Sequence, residues 1–229
     1  MATDDDPFDP HEFGGIARLF PLPNLVLFPH VVQPLHIFEP RYRALMEASL
    51  ATDRLITMAL LKPGWEPHYE ERPPLYDMVC VGKITAHHRL PDGRYNLLLA
   101  GVSRARIVRE LPAERLFREA RVELCHDRPV AEATVSARLQ RSLLERFREL
   151  LPKLPQIREQ LLRLLDDEIP LGALTDIVSF ALRLAPEHKQ ALLDELDAER
   201  RAGALLALLD RSAAGRDGAE RFPPDFSAN

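Results

Sequence analysis

The stretch FPLPNLVLFPHVVQPLHIFEPRYRALM, Phe20 to Met46, decides how this chain is read. Four prolines, Pro21, Pro23, Pro29 and Pro34, interrupt its short apolar runs. Proline brings no backbone N–H to a ladder and is confined to strand edges, strand starts and bulges. The prolines therefore divide the segment into short strands that change direction, as at the seam of a small barrel. Glu39-Pro40-Arg41-Tyr42 then puts proline at a first helical position, with Tyr42, Leu45 and Met46 at helical spacing. The chain passes from strand to helix there.

On the C-terminal side, the period stays close to two as far as His126. Leu55–Leu61, Met78–Thr85, Tyr95–Ala100, Ala105–Val108 and Phe117–Leu124 are rich in apolar and β-branched residues and bounded by turn signals. Pro91-Asp92-Gly93 is the clearest turn, since proline presets φ and glycine accepts a positive φ. It predicts an antiparallel hairpin joining Ile84–His88 to Tyr95–Ala100. Arg104, Arg106 and Arg109 alternate only partly with apolar neighbours, as on a strand with one wet face.

Beyond Pro129 the period becomes helical. Val135, Leu139, Leu143, Phe147 and Leu150 form one stripe, with charged residues on the other sides. Pro152 and Pro155 are expected to end that helix, Ile157–Leu165 to begin another, and Pro170 and Pro186 to punctuate those that follow. Leu205, Leu206, Leu208 and Leu209 mark a last helix before Ser212-Ala213-Ala214-Gly215. A β-rich half followed by a helical half is an α+β architecture. The expected organisation is an acidic mobile tail over residues 1–15, a β-rich subdomain over 16–128, a helical subdomain over 129–211 and a flexible tail over 212–229.

Composition narrows the function classes. With 229 residues, 46% of them hydrophobic, the chain can bury one sizeable core or two smaller ones. A net charge of −5 gives no global field for phosphates, so nucleic acid is not favoured. Met1-Ala2-Thr3-Asp4-Asp5-Asp6 does not resemble a signal peptide and no apolar run approaches membrane-spanning length. A cytoplasmic protein without a membrane partner is the expectation. Cys80 and Cys125 lie in apolar strand-like segments and not in a C-x-x-C pair, which points to reduced thiols.

Three ordered motifs resemble the substrate-binding N-terminal domain of Lon proteases, and in particular the small bacterial proteins that consist of that domain alone. The first is the opening stretch with Pro29, Pro34, Glu39, Arg41 and Tyr42. The second is the hairpin at Gly93 with the following Gly101-Val102-Ser103-Arg104-Ala105-Arg106. The third runs from Leu174 through Lys189-Gln190-Ala191-Leu192-Leu193 to Leu209. Together they span about residues 16 to 211. The resemblance implies a PUA-like pseudobarrel with one inserted helix near Pro40–Leu50, then a helical bundle, with no cofactor and no metal. The family motif commonly has glycine where this chain has His30, so the turn after Phe28-Pro29 is expected to differ.

In a Lon protease this kind of domain precedes an ATPase module and a serine–lysine peptidase module. This chain carries no G-x-x-x-x-G-K-[ST] loop, since Val81-Gly82-Lys83-Ile84-Thr85 lacks the upstream glycine and sits in a strand. It carries no G-x-S-x-G elbow and no H-E-x-x-H pair either. No catalytic residue is assigned, and a self-contained ATP-driven protease is not expected. His87 and His88 are adjacent in a strand and face opposite sides, which argues against a shared metal ion.

The loop from Gly64 to Tyr76 concentrates Trp65, Tyr69 and Tyr76 among three prolines. Rigid rings on a long loop suit an interaction surface, whereas Trp65 and Tyr76 could equally cap the barrel core. Tyr69, between His68 and Glu70, is expected to be exposed. Arg104 invites a carboxylate, with Glu39 the expected partner in its own domain. Phe28, Pro29, Leu35, Ile37 and Phe38 read mainly as core. Candidate binding residues are thus Trp65, Tyr69, Tyr76, Phe38 and Arg104.

By resemblance, the leading expectation is a noncatalytic module that binds unfolded or degron-bearing protein segments, with a separate protease as a further partner. The alternative is an RNA-binding PUA-like protein, for which the sequence offers no basic stripe with stacking aromatics.

Overall fold

The computed structural model describes residues 8–69, 71–128, 132–150 and 169–213. Among them, six strands and five α-helices follow in the order β1 (Ile16–Leu22), β2 (Val32–Ile37), α1 (Pro40–Leu50), β3 (Leu55–Leu60), β4 (Met78–Arg89), β5 (Tyr95–Glu110), β6 (Arg118–Cys125), α2 (Ala133–Leu150), α3 (Leu171–Ala181), α4 (Pro186–Asp194) and α5 (Ala198–Ala213). This is the α+β architecture that the change of period predicts. The described residues form two compact units. One holds those up to His126 together with Ala185–Asp194, and the other holds the rest.

In the first unit the strands run β2-β5-β4-β3-β1-β6, and β6 also pairs with β5. The ring β1-β3-β4-β5-β6 therefore closes into a small barrel, which removes the edges that an open sheet exposes. Closure depends on the length of β5. Its first half, Tyr95–Ala100, pairs with β2, its second half from Arg104 to Glu110 pairs with β6, and β4 lies along its other side. Sequence alone splits β5 in two at Gly101–Arg104. The strand instead runs on through register shifts opposite Val81/Gly82 and at Ile107/Arg109, which a count of alternating residues reads as a break.

The prolines sit where a missing donor is harmless. Pro21 lies beyond the Ile16–Leu19 stretch that pairs with β6. Its carbonyl accepts the Tyr42 hydroxyl at 2.9 Å. Pro34 lies in β2, which pairs only with β5. Pro40 opens α1, as the sequence predicts, and the backbone carbonyl of Glu39 before it accepts from the N–H groups of Tyr42 and Arg43. The helix buries Tyr42, Leu45, Met46 and Ser49, and Tyr42 meets Phe20 edge-on at 4.2 Å. Each large apolar side chain removed from water in this way contributes about 1.5–3 kcal/mol. The predicted hairpin is present too, with Gly93 at φ +84° and its N–H donating to the Leu90 carbonyl.

Helical period alone places α4 with the helical half, yet it belongs to the barrel unit. Gln190 donates to the Met78 carbonyl at 2.9 Å, and Arg104 Nε to the Leu193 carbonyl at 3.0 Å. At the other end of the unit, Phe8 and Phe13 pack on the core, with ring centroids 6.1 Å apart. The end of the segment expected to be a mobile tail is thus anchored by its two aromatic residues.

In the second unit α2, α3 and α5 pack together. Leu143 and Phe147 of the predicted α2 stripe are fully buried. Arg201 of α5, with no solvent exposure, donates to both carboxylate oxygens of Asp127 at 2.8 and 2.6 Å and to Thr175 Oγ1 at 3.0 Å. The last helix continues to Ala213, past the release expected at Ser212. Pro152, Pro155 and the Ile157–Leu165 helix lie outside the described residues.

Candidate protein-binding face

The outer surface of β2, β5 and β4 follows from backbone parity. Gly101 N–H donates to the Val31 carbonyl at 2.8 Å, which makes 31 and 101 a hydrogen-bonded pair. Along the register, Val32↔Ala100, Pro34↔Leu98 and His36↔Asn96 are then the non-hydrogen-bonded pairs, whose side chains stand closest. The His36 Nδ1 to Asn96 Oδ1 distance of 2.6 Å agrees. On β4, Lys83, Ala86 and His88 continue the three rows.

The middle of this face is apolar and open. Val32 is 51% and Leu98 39% exposed, with Pro34 exposed between them. Gln33, Leu35 and Ile37 alternate to the other side, where Ile37 is buried. Val108 and Leu116 are the other large exposed apolar side chains among the described residues. The free edge of β2 is blocked at its centre. Pro34 has no N–H to offer outward, and its carbonyl accepts the Gln33 side-chain amide at 2.7 Å. The edge of β2 therefore offers no continuous ladder to a further strand.

The sequence reading did not single out Val32 or Leu98. Leu97-Leu98-Leu99 reads as a continuous core run and conceals the alternation. The usable signal is the matched spacing of Val32-x-Pro34-x-His36 with Asn96-x-Leu98.

The residues that the sequence did single out have other surroundings. Trp65 and Tyr69 pack against the barrel core, 5.4 Å apart and edge to face. Tyr69 is half-buried and not exposed, because its hydroxyl donates to Glu39 Oε1 at 3.0 Å and its ring lies under the Arg41 guanidinium at 4.5 Å. Glu39 thus pairs with Arg41, at 2.8 Å, where Arg104 was expected. Arg104 is 2% exposed and directed at Leu193. Tyr76 is half-buried, with Lys62 5.9 Å from its ring, and Phe38 stacks on His36. Arg106 is exposed. The structure does not bring these residues together into one open surface.

Titration follows the same geometry. Burial, and then Glu39, hold the Tyr69 phenol above its ordinary pKa, and burial does so more strongly for Tyr42. Burial, Arg54 and His88 lower His87. Among the described residues no cluster of three His, Cys, Asp or Glu could hold a metal ion, and no helix is long and apolar enough to cross a membrane. Cys80 and Cys125 form no disulfide.

A closed mixed barrel carrying an inserted helix, with a helical unit after it, is the architecture of Lon N-terminal domains. The N-terminal domain of a Mycobacterium avium complex Lon protease superposes with a TM-score of 0.60 at 21% identity, covering 85% of this chain and 98% of that one. A Lon N-terminal domain protein from Xanthomonas campestris gives 0.56 at 24% identity, covering 84% and 97%.

The ATP-dependent protease La (LON) substrate-binding domain family matches residues 16–211, and the chain belongs to that family. It is 30% identical over 214 residues to the Lon protease of Roseiflexus castenholzii, covering 92% of this chain and 26% of that protein. It is 28% identical over 200 residues to Lon protease 2 of Myxococcus xanthus, covering 86% and 24%. The chain thus spans about a quarter of the length of these curated relatives.

Proposed function

We propose that this chain is a noncatalytic module that holds segments of protein substrates against the open apolar face of β2 and β5. The observation that carries the reading is the exposure of Val32, Pro34 and Leu98 side by side on a barrel whose other strands bury their apolar residues. Family membership supplies the class of ligand, protein substrate. Weak affinity is expected, because an unfolded segment must be ordered as it binds. By likeness to the Lon relatives, the bound segments are destined for proteolysis by an ATP-driven peptidase. The loop at Trp65 and Tyr69 supports the barrel in this account and does not touch the substrate.

The test is fluorescence anisotropy with a labelled, reduced and carboxymethylated unfolded protein. The chain is expected to bind it, and the double substitution Val32→Ser, Leu98→Ser to weaken binding at least tenfold while leaving the circular dichroism unchanged. Unaltered binding by that variant would sink the assignment of the face.

A further inference from the structure

Residues 8–13, Phe-Asp-Pro-His-Glu-Phe, lie on the barrel unit without belonging to its sheet. Phe8 and Phe13 are half-buried and pack on the core cluster that includes Ala17, Ala105, Ala120 and Val122, whereas Asp9, Pro10, His11 and Glu12 between them are exposed. A short turn holds the two rings together. Asp9 Oδ1 accepts the His11 N–H at 2.8 Å and the Asp9 carbonyl accepts the Glu12 N–H at 3.2 Å, with Pro10 presetting φ inside the turn. The ring centroids stand 6.1 Å apart.

Among the described residues, the hydrogen bonds of this segment are all internal. None joins residues 8–14 to the barrel, and neither does an ion pair. The first link to the sheet is the Gly15 carbonyl, which accepts the Val122 N–H at 2.9 Å. Gly15 adopts φ +74°, and Gly14 before it is exposed, with open space where a side chain would begin. Two half-buried rings are set against the ordering of six residues, so closure is finely balanced and the segment lifts without breaking a polar contact. The seat beneath nevertheless suits rings. Its small members Ala17, Ala59, Ala105 and Ala120 leave aromatic side chains from outside the strands, Phe8 and Phe13 among them, to complete the packing.

We propose that this seat binds segments of other proteins in which two aromatic residues bracket an Asp-Pro turn, and that residues 8–13 are its resident occupant, displaced when such a segment arrives. The occupant itself defines the ligand: two rings that fill the seat, and a turn that holds them close before binding and so lowers the entropy lost. Gly14 alone lies between Phe13 and the sheet-bound Gly15, a reach of about 7 Å, too short to pass the segment to a second copy without pressing two barrels together. The seat is separate from the open face of β2 and β5, since Val32, Pro34 and Leu98 are not part of the cluster. A tethered occupant competes with every incoming segment, so the chain binds more weakly than its open seat does.

The experiment is fluorescence anisotropy on the full chain with a labelled peptide copying residues 8–14, and with two altered peptides: one with serine for both phenylalanines, one with Ala-Gly for Asp-Pro. The full chain carrying Phe8→Ser and Phe13→Ser is expected to bind the copy about fivefold tighter than the unaltered chain does, and the Ala-Gly peptide about threefold more weakly than the copy. The serine peptide is expected not to bind. Asp9→Ala with Pro10→Gly, both at exposed positions, keeps the rings and loosens the turn, and is expected to shift affinity in the same direction even if the first variant fails to fold. Equal affinity of the unaltered and opened chains, or binding of the serine peptide, would overturn the proposal. Val32→Ser with Leu98→Ser is expected to leave peptide binding unchanged; a loss would put the peptide on the β2–β5 face and overturn the separate seat. A dimer that forms with rising concentration and is dissolved by the peptide would mean exchange of the segment between two copies, which overturns a foreign partner. No binding of the copy to either opened chain overturns the seat and leaves the reading of the β2–β5 face as it stands.

Discussion

The carbonyl oxygen of Phe28 occupies the space in which a side chain on Gly101 would begin. Two bonds hold it there, from Gly101 N–H to the Val31 carbonyl at 2.8 Å and from His30 N–H to the Gly101 carbonyl at 2.9 Å. The Pro29 turn and the middle of β5 thus lock into each other, and β2 enters the sheet in register with the face it helps to form. We expect Gly101→Ala to destabilise the chain by about 3 kcal/mol, since backbone has to move. Gly82→Ala should cost less, about 1–2 kcal/mol, because the atoms nearest the added Cβ belong to the Leu99 side chain and not to backbone. Urea unfolding of both variants checks the order, and a milder Gly101→Ala would contradict it.

His30 stands where the family motif commonly has glycine, and its backbone lies in the region that favours glycine. It adopts φ +66°, in the left-handed region, and still donates to Gly101. A non-glycine residue there costs about 1–2 kcal/mol, part of which a glycine gives back as backbone entropy in the unfolded chain. His30→Gly should therefore raise stability by about 0.5–1 kcal/mol, and His30→Ala should not. A lower melting temperature for His30→Gly would refute the strain.

Glu110 makes the barrel sensitive to acid. Burial by itself would raise its carboxyl pKa, but Arg118, at 2.5 and 2.9 Å, and Arg72, at 3.0 Å, hold it below the ordinary value. A lowered folded-state pKa adds stability that is present above the unfolded-state value and lost as the pH falls through the folded one. Glu110→Gln should cost about 1 kcal/mol at neutral pH, discounted for partial exposure, and nothing once both states are protonated. Stability curves from pH 7 to pH 2 should converge at the acid end; parallel curves would show that the carboxylate contributes nothing by its charge.

Arg201 ties the second unit together, and Gly172 makes room for it, since a Cβ there would collide with Asp127 Oδ2. Arg201→Met removes a fully buried cation that faces two carboxylates, Asp127, which is 31% exposed, and Asp176, which is 1% exposed and 3.7 Å away. We expect a loss of about 3–5 kcal/mol, the cost of removing one partner of a buried pair, since Asp176 keeps its burial without the cation. Hydrogen exchange should show it in α3 and α5, with β1 to β6 unaffected; equal loosening of the strands would refute its confinement to this unit.

What the sequence reveals of this protein is its local chemistry. Pro40 at the first position of α1, Gly93 in its turn and the α2 stripe through Leu143 and Phe147 each declare themselves within a few residues. Long-range partners do not. Arg104 finds Leu193 across 89 positions, Gln190 reaches back to Met78, and nothing near Glu39 signals that Tyr69 will share it with Arg41. The candidate site was the least legible part, because exposed Leu98 stands between buried Leu97 and Leu99, and composition does not distinguish the three.

The most direct test of the substrate-binding face is site-specific photo-crosslinking to an unfolded client. Leu98→p-benzoylphenylalanine and Val32→p-benzoylphenylalanine are expected to give client adducts, whereas Val108→p-benzoylphenylalanine, equally exposed but outside the face, and Tyr69→p-benzoylphenylalanine are not. Adducts at 69 or 108 without any at 32 or 98 would contradict the account.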